Sequence, residues 1–235
     1  MTSFYQSILS NRYRLAIFAL LGGASLVSVA LFRFRGFWYA EDGFTFLIWN
    51  LFLAWIPLCF AFAARIAYAR RTWLRYPVFL SCAFLWLLFF PNAPYVATDL
   101  IHLQPMPHLP LWYDAIMFVA FAWAGLCLGF VSLYVMQGLV ARSSGWVAGW
   151  LFALAALGLS GFGVYLGRFL DWNSWDLLTR PEGLLGDIWT RVRHPLAYSH
   201  TYAVSLLFAA FFISAYVVLF AFSRLQPEQV PTRKQ

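Results

Sequence analysis

The sequence predicts an all-α fold, a polytopic transmembrane helix bundle with about six membrane-spanning helices and a third helix broken by prolines at the outer surface. Three observations carry this. Hydrophobic residues make up 63% of the 235-residue chain and charged residues only 11%, too few to cover a soluble core. Six apolar stretches approach or exceed the ~20 residues that cross a hydrocarbon core. Arginines gather at the ends of those stretches, where headgroup anchors belong.

The spans run approximately 15–32, 44–64, 76–92, 113–138, 146–168 and 196–222, and the whole chain reads as a single transmembrane domain with 223–235 as a cytoplasmic tail. The first follows Arg12 and Arg14. A "VSVA" stretch at Val27–Ala30 faintly resembles a signal-peptidase site, but the run is nearly long enough to span and Arg33 and Arg35 follow it, so an uncleaved helix is expected. The second span ends in "RIAYARR". The third meets Pro91 and Pro94, which lack backbone donors and disfavour helix before them. In the fifth, Gly149, Ala153, Ala156, Ser160, Gly163 and Gly167 recur at steps of four and three. This small-residue stripe lets a neighbouring helix approach closely, with Gly125 and Gly129 of the fourth span as the expected partner surface.

Counting Lys and Arg by connection gives ten on the side of the termini and six opposite, so the positive-inside bias places both termini in the cytoplasm. The outward connections then hold Glu41, Asp42, all four histidines (His102, His108, His194, His200) and nearly all the acids. The net charge of +7 comes with no basic run or nucleic-acid motif and reads as membrane anchoring. Cys59, Cys82 and Cys127 all lie in apolar segments without CxxC spacing, which argues against a disulfide framework or a cysteine zinc site.

Three polar clusters adjoin these helix ends. In "FFPNAPYVATDLIHL", Asp99 and His102 are three apart on a short amphipathic segment expected at the interface. They form either an acid/base pair or metal-ligand pair, or a local hydrogen bond beneath an Asn92 cap. In "YLGRFLDWNSWDLLTRPEG", Arg168 and Asp171 are one turn apart and can pair. Trp172 and Trp175 suit the headgroup belt. The alternatives are a membrane-exit collar, or an arginine holding a phosphate or carboxylate beside Asp171 or Asp176. In "RHPLAYSHTYA", His200 enters the apolar segment, where an ionisable group needs a partner or a cavity; Asp114 is judged in the same way.

The runs P-N-A-P-Y…T-D-L-x-H-L and G-R-F-x-x-W-N-S-W-D resemble those of the uncharacterised bacterial membrane proteins grouped as domain of unknown function thirteen-sixty-one. The resemblance extends from about the second helix to the last. It implies a compact inner-membrane protein whose signature is Asn92, Tyr95, Asp99, His102, Arg168, Trp172, Asn173, Trp175 and Asp176, and it attaches no catalytic role to them.

The residues thus nominate Asp99, His102, Asp171, Asp176 and His200 as acid/base or ligand candidates, and Asn92, Tyr95, Arg168, Trp172, Asn173 and Trp175 as substrate contacts. Metal and cofactor stay open, since neither HExxH nor paired HxxxH occurs. The expected function is an outward-facing polar site acting on a lipid, a lipid-linked envelope precursor or an anionic small molecule. A small-solute transporter and a non-catalytic factor binding membrane lipid or a protein partner are the alternatives.

Overall fold

The computed structural model describes residues 11–39, 43–69, 73–105 and 110–224. The described residues form helices: α1 (Asn11–Tyr39), α2 (Phe46–Ala69), α3 (Arg75–Phe89), α4 (Asn92–Tyr95), a 3-10 segment (Val96–His102), α5 (Leu111–Ser144), α6 (Trp146–Leu170), α7 (Asp176–Thr179), α8 (Pro181–Arg193) and α9 (Ser199–Phe222). Among the described residues six stretches are long and apolar enough to cross a membrane: Leu15–Phe37, Phe46–Ala69, Tyr76–His102, Leu111–Ser144, Trp146–Leu170 and Ser199–Phe222. The expected six-span bundle is therefore the fold. Glu41, Asp42 and His108 lie outside the described residues.

The bundle is built around α5, whose apolar window is 67% buried, against 17% for the windows of α1 and α9 at the periphery. One face of α5 packs Met117, Phe118, Phe121 and Leu128 against α1 and α2 through Leu21, Phe32, Leu47 and Leu51. Another packs Leu133 and Met136 with Trp86, Val164, Phe212 and Tyr216 from α3, α6 and α9. Within that second core, Trp86 Nε1 donates to Ser132 Oγ at 3.2 Å and the Tyr216 hydroxyl bonds Gln137, so these two buried polar tips are satisfied.

The glycines pack differently from the sequence expectation. Gly125 and Gly129 face the broken third helix, not α6: a Cβ on Gly125 would meet Ala93 O and Val96 Cβ at 2.8 Å. The α6 stripe also serves that segment, with Gly163 against Pro91 and Gly167 against Tyr95. The tight crossing of α6 and α9 instead uses Gly161, whose Cβ would lie 2.3 Å from Ser205 O. The residues after Pro91 are thus clasped between two glycine-lined helices. Ala93, Val96, Thr98 and Asp99 are buried, whereas the sequence expectation laid this segment on the interface.

Candidate functional site

The site begins where α3 fails. Pro91 cannot donate to continue the ladder, and the Ala93 N–H turns to Phe90 O at 3.2 Å. Side chains then satisfy the neighbouring carbonyls. Asn92 Nδ2 donates to Phe89 O at 3.0 Å and the Ser174 hydroxyl to Leu88 O at 2.9 Å. Asn92 Nδ2 also donates to Ser174 Oγ at 2.8 Å, which ties "PNAP" to "WNS" across 82 residues.

Past Tyr95 the backbone tightens into the 3-10 segment, in which residues three apart eclipse. This puts Asp99 and His102 in one row, facing Arg168 near the end of α6. The Arg168 guanidinium forms an ion pair with Asp99 Oδ1 and donates to Thr98 Oγ1 through Nε at 3.1 Å and Nη2 at 2.8 Å. Nη1 lies 2.7 Å from His102 Nε2, and the guanidinium carbon stands 4.3 Å over the Tyr95 ring. Asn50 Nδ2 of α2 completes the group by donating to Asp99 Oδ2 at 2.9 Å. Arginine has only donors, so His102 Nε2 accepts and its ring proton resides on Nδ1. In this geometry His102 is a neutral acceptor spent on Arg168, and Asp99 is a buried counter-ion.

Asp171, Asp176 and His200 do not join this group. Asp171 ends α6 in the left-handed conformation (φ 56°), and the Trp172 N–H reaches back to Leu166 O at 3.1 Å, one residue wider than a Schellman closure. Arg168 therefore turns to Asp99, not to its helical neighbour Asp171. Asp176 is buried and caps its own loop. It accepts from the Asn173 N–H at 2.8 Å, Arg180 at 3.0 Å and Thr179 at 3.1 Å. The Asn173 N–H, then Arg180 and Thr179, hold its carboxyl below the ordinary carboxylate value. His200 stacks edge-on to Tyr165 and Phe169 at 6.2 and 5.4 Å. Trp175 meets Trp49 edge-on at 6.5 Å. Trp172 Nε1 donates to Asp187 at 2.8 Å, and Asp187 pairs with Arg191 at 2.9 Å. Burial pushes the Asp187 carboxyl up, but those two partners outweigh it and hold the carboxyl low. Among the described residues no three of His, Cys, Asp and Glu gather as a metal site.

Beside the Asp99–Arg168 clamp lies a cavity of about 600 Å³, within the roughly 300–1,000 Å³ range of small-molecule sites. Leu53, Leu88, Leu166, Leu177 and Ile188 make its wall apolar, and Asn50, Asn92, Asp171, Asn173 and Ser174 supply polar groups. Of the expected substrate contacts, Asn92, Tyr95, Trp172 and Asn173 line it; Arg168 and Trp175 do not. Asn50, Thr98 and Ser174 escaped the sequence reading. Asn50 had a signal, an amide inside the apolar run "LIWNLFLAW".

A second buried pair stands apart from the cavity. Arg35 Nε meets Asp114 Oδ1 at 2.8 Å and Nη2 meets Oδ2 at 3.3 Å, with both side chains essentially inaccessible and the guanidinium 4.5 Å over Phe44. Arg35 is thus a bidentate tie between α1 and α5, not the headgroup anchor its position suggested.

Fold and site together define a six-span helical membrane protein with a proline-broken helix clamped by a buried arginine against an amphipathic cavity. The chain belongs to the family described as "Protein of unknown function (DUF1361)", whose model matches residues 49–215 and so takes in α3, the clamp and the cavity. No curated protein and no solved structure matches the chain.

Proposed function

We propose that the protein is a membrane factor that holds a lipid or lipid-linked amphiphile in the cavity, its chain along the leucine-rich wall and its polar end among Asn50, Asn92, Asp171, Asn173 and Ser174. The observation that carries this is the cavity's two-part lining beside a spanning bundle. Asp99, His102 and Arg168 act as positioning residues: they saturate one another and fix the wall through Asn50 and Tyr95. The mutual saturation favours binding over acid/base chemistry at the clamp, and the scatter of Asp171, Asp176 and His200 supports the same preference.

The cavity opens at the outer face of a bacterial inner membrane, with both termini cytoplasmic. The arginine bias supports this more strongly once Arg35, Arg168 and Arg191 are withdrawn into ion pairs, because the outer side then keeps fewer cations for headgroups. The test is site-specific photocrosslinking. A benzoylphenylalanine at Leu177 should capture labelled lipid, and the same group at lipid-remote Leu128 should not; equal labelling at both positions would refute the assignment.

A further inference from the structure

We infer that the cavity selects an amphiphile whose polar end donates hydrogen bonds and carries no net negative charge, rather than the anionic head that Arg168 alone would suggest. The inference rests on the proposed lipid-binding role and adds the head-group class.

It follows from where the polar hydrogens go. Asn50 Nδ2 donates to the Asp99 carboxylate, and a carboxylate only accepts, so the orientation of the Asn50 amide is fixed. Asn92 Nδ2 donates to the Phe89 carbonyl and to Ser174 Oγ, which fixes the second amide and occupies both its hydrogens. Ser174 places its own hydrogen on Leu88 O. The Asn173 N–H is given to Asp176, and the Trp172 indole N–H to Asp187. What these residues keep is chiefly acceptor capacity: Asn50 Oδ1, Asn92 Oδ1, a Ser174 lone pair and the Asp171 carboxylate, against one spare Asn50 hydrogen and an Asn173 amide held only by 3.5 Å contacts to Asp171 O and Asp176 Oδ2.

The lining includes Asp171 and neither lysine nor arginine, and its remaining side-chain donors are all neutral: the second Asn50 amide hydrogen, the Asn173 amide, the Tyr95 hydroxyl and the Trp49 indole. Arg168, the nearest expected anion receptor, is committed to Asp99, Thr98 and His102. An anionic head would meet an uncompensated carboxylate and an acceptor-rich wall, whereas hydroxyl or ammonium hydrogens would find partners. Two sources share that chemistry, a glycosyl head and an ethanolamine head.

Native mass spectrometry of the full chain with lipids of matched acyl chains tests this. The set is phosphatidylethanolamine, glucosyl-diacylglycerol, phosphatidylcholine (which lacks N–H donors) and phosphatidic acid. Retention of one of the first two at least about tenfold over the last two is expected, the worth of one charge-assisted hydrogen bond. Asp171→Asn, tolerated in the left-handed conformation, separates the sources: it lowers ethanolamine retention about tenfold and glycosyl retention by less, because asparagine keeps an acceptor for a hydroxyl and loses the charge that pairs with an ammonium. Leu166→Trp and Leu177→Trp fill the cavity and should abolish retention. If no lipid is retained, or if filling changes nothing, the lipid-binding reading falls. If filling abolishes retention but phosphatidic acid or phosphatidylcholine binds best, that reading stands and the head-group inference is overturned.

Discussion

Replacing Asp99 with alanine should be far more damaging than replacing it together with Arg168. Asp99 is 1% exposed and the Arg168 side chain 11%, so removing the carboxylate leaves a guanidinium in the bundle with only Thr98, His102 and the Tyr95 ring. It also releases Asn50. Breaking a buried pair by deleting one partner costs about 3–5 kcal/mol, while replacing both with apolar groups is often near neutral. For a chain of this size each kcal/mol moves Tm by about 2–4 °C, so Asp99→Ala should lower Tm by roughly 6–20 °C. The double variant Asp99→Ala/Arg168→Met should recover at least half of that loss. Asp99→Asn keeps an acceptor for Arg168 and should fall between the two. Thermal unfolding in detergent, followed by near-ultraviolet circular dichroism, reads all three. An Asp99→Ala variant within about 2 °C of the parent, or a double variant no more stable than Asp99→Ala, would show that the contacts do not act as one clamp.

Three other predictions concern packing, pH and orientation. Gly161→Ala drives a methyl into Ser205 O and Ala209 N and should cost about 1–3 kcal/mol by thermal unfolding, whereas Gly158→Ala, with open space around it, should be neutral or slightly stabilising. Asp176 and Asp187 both have lowered folded pKa values; their contribution is present above the unfolded value and is lost as pH falls through the folded one. Amide protection across residues 172–193, taken relative to the intrinsic exchange rate at each pH, should therefore fall only on acidification below the ordinary carboxylate range, and loss of protection between pH 6 and 8 would contradict the assignment. In a background without the three native cysteines, Leu196→Cys, at 92% exposure, should react with an impermeant maleimide on intact spheroplasts and Ser144→Cys only after lysis; the reverse pattern would invert the topology.

Much of this was legible in the residues because hydrophobic length and proline chemistry are local. Leu111–Ser144 announces a span by its run of apolar side chains, and Pro91 with Pro94 announces a break whatever surrounds it. The grouping of Asp99, His102 and Arg168 was nominated, but the partnership was not. Arg168 can reach Asp171 by helical spacing alone, and only the packing of Gly163 on Pro91 and Gly167 on Tyr95 turns it toward Asp99. Arg35 shows the same limit. An arginine at a helix end looks like an anchor until the fold brings Asp114 from a helix 79 residues away. Ser174 was invisible for another reason: its role is to satisfy a carbonyl in the last turn of a distant helix, where the regular ladder stops.

What occupies the cavity of about 600 Å³ in a membrane decides whether the protein holds a lipid there. An electron cryomicroscopy structure of the full chain in nanodiscs of native lipid measures this directly. The predicted result is elongated density along Leu88, Leu166 and Leu177 that ends in a head group within hydrogen-bond reach of Asn50, Asn92 or Asp171, with Arg168 still on Asp99. A water-filled cavity with lipid confined to the outer surface of the bundle, or an Arg168 released from Asp99 to hold an anion, would contradict it.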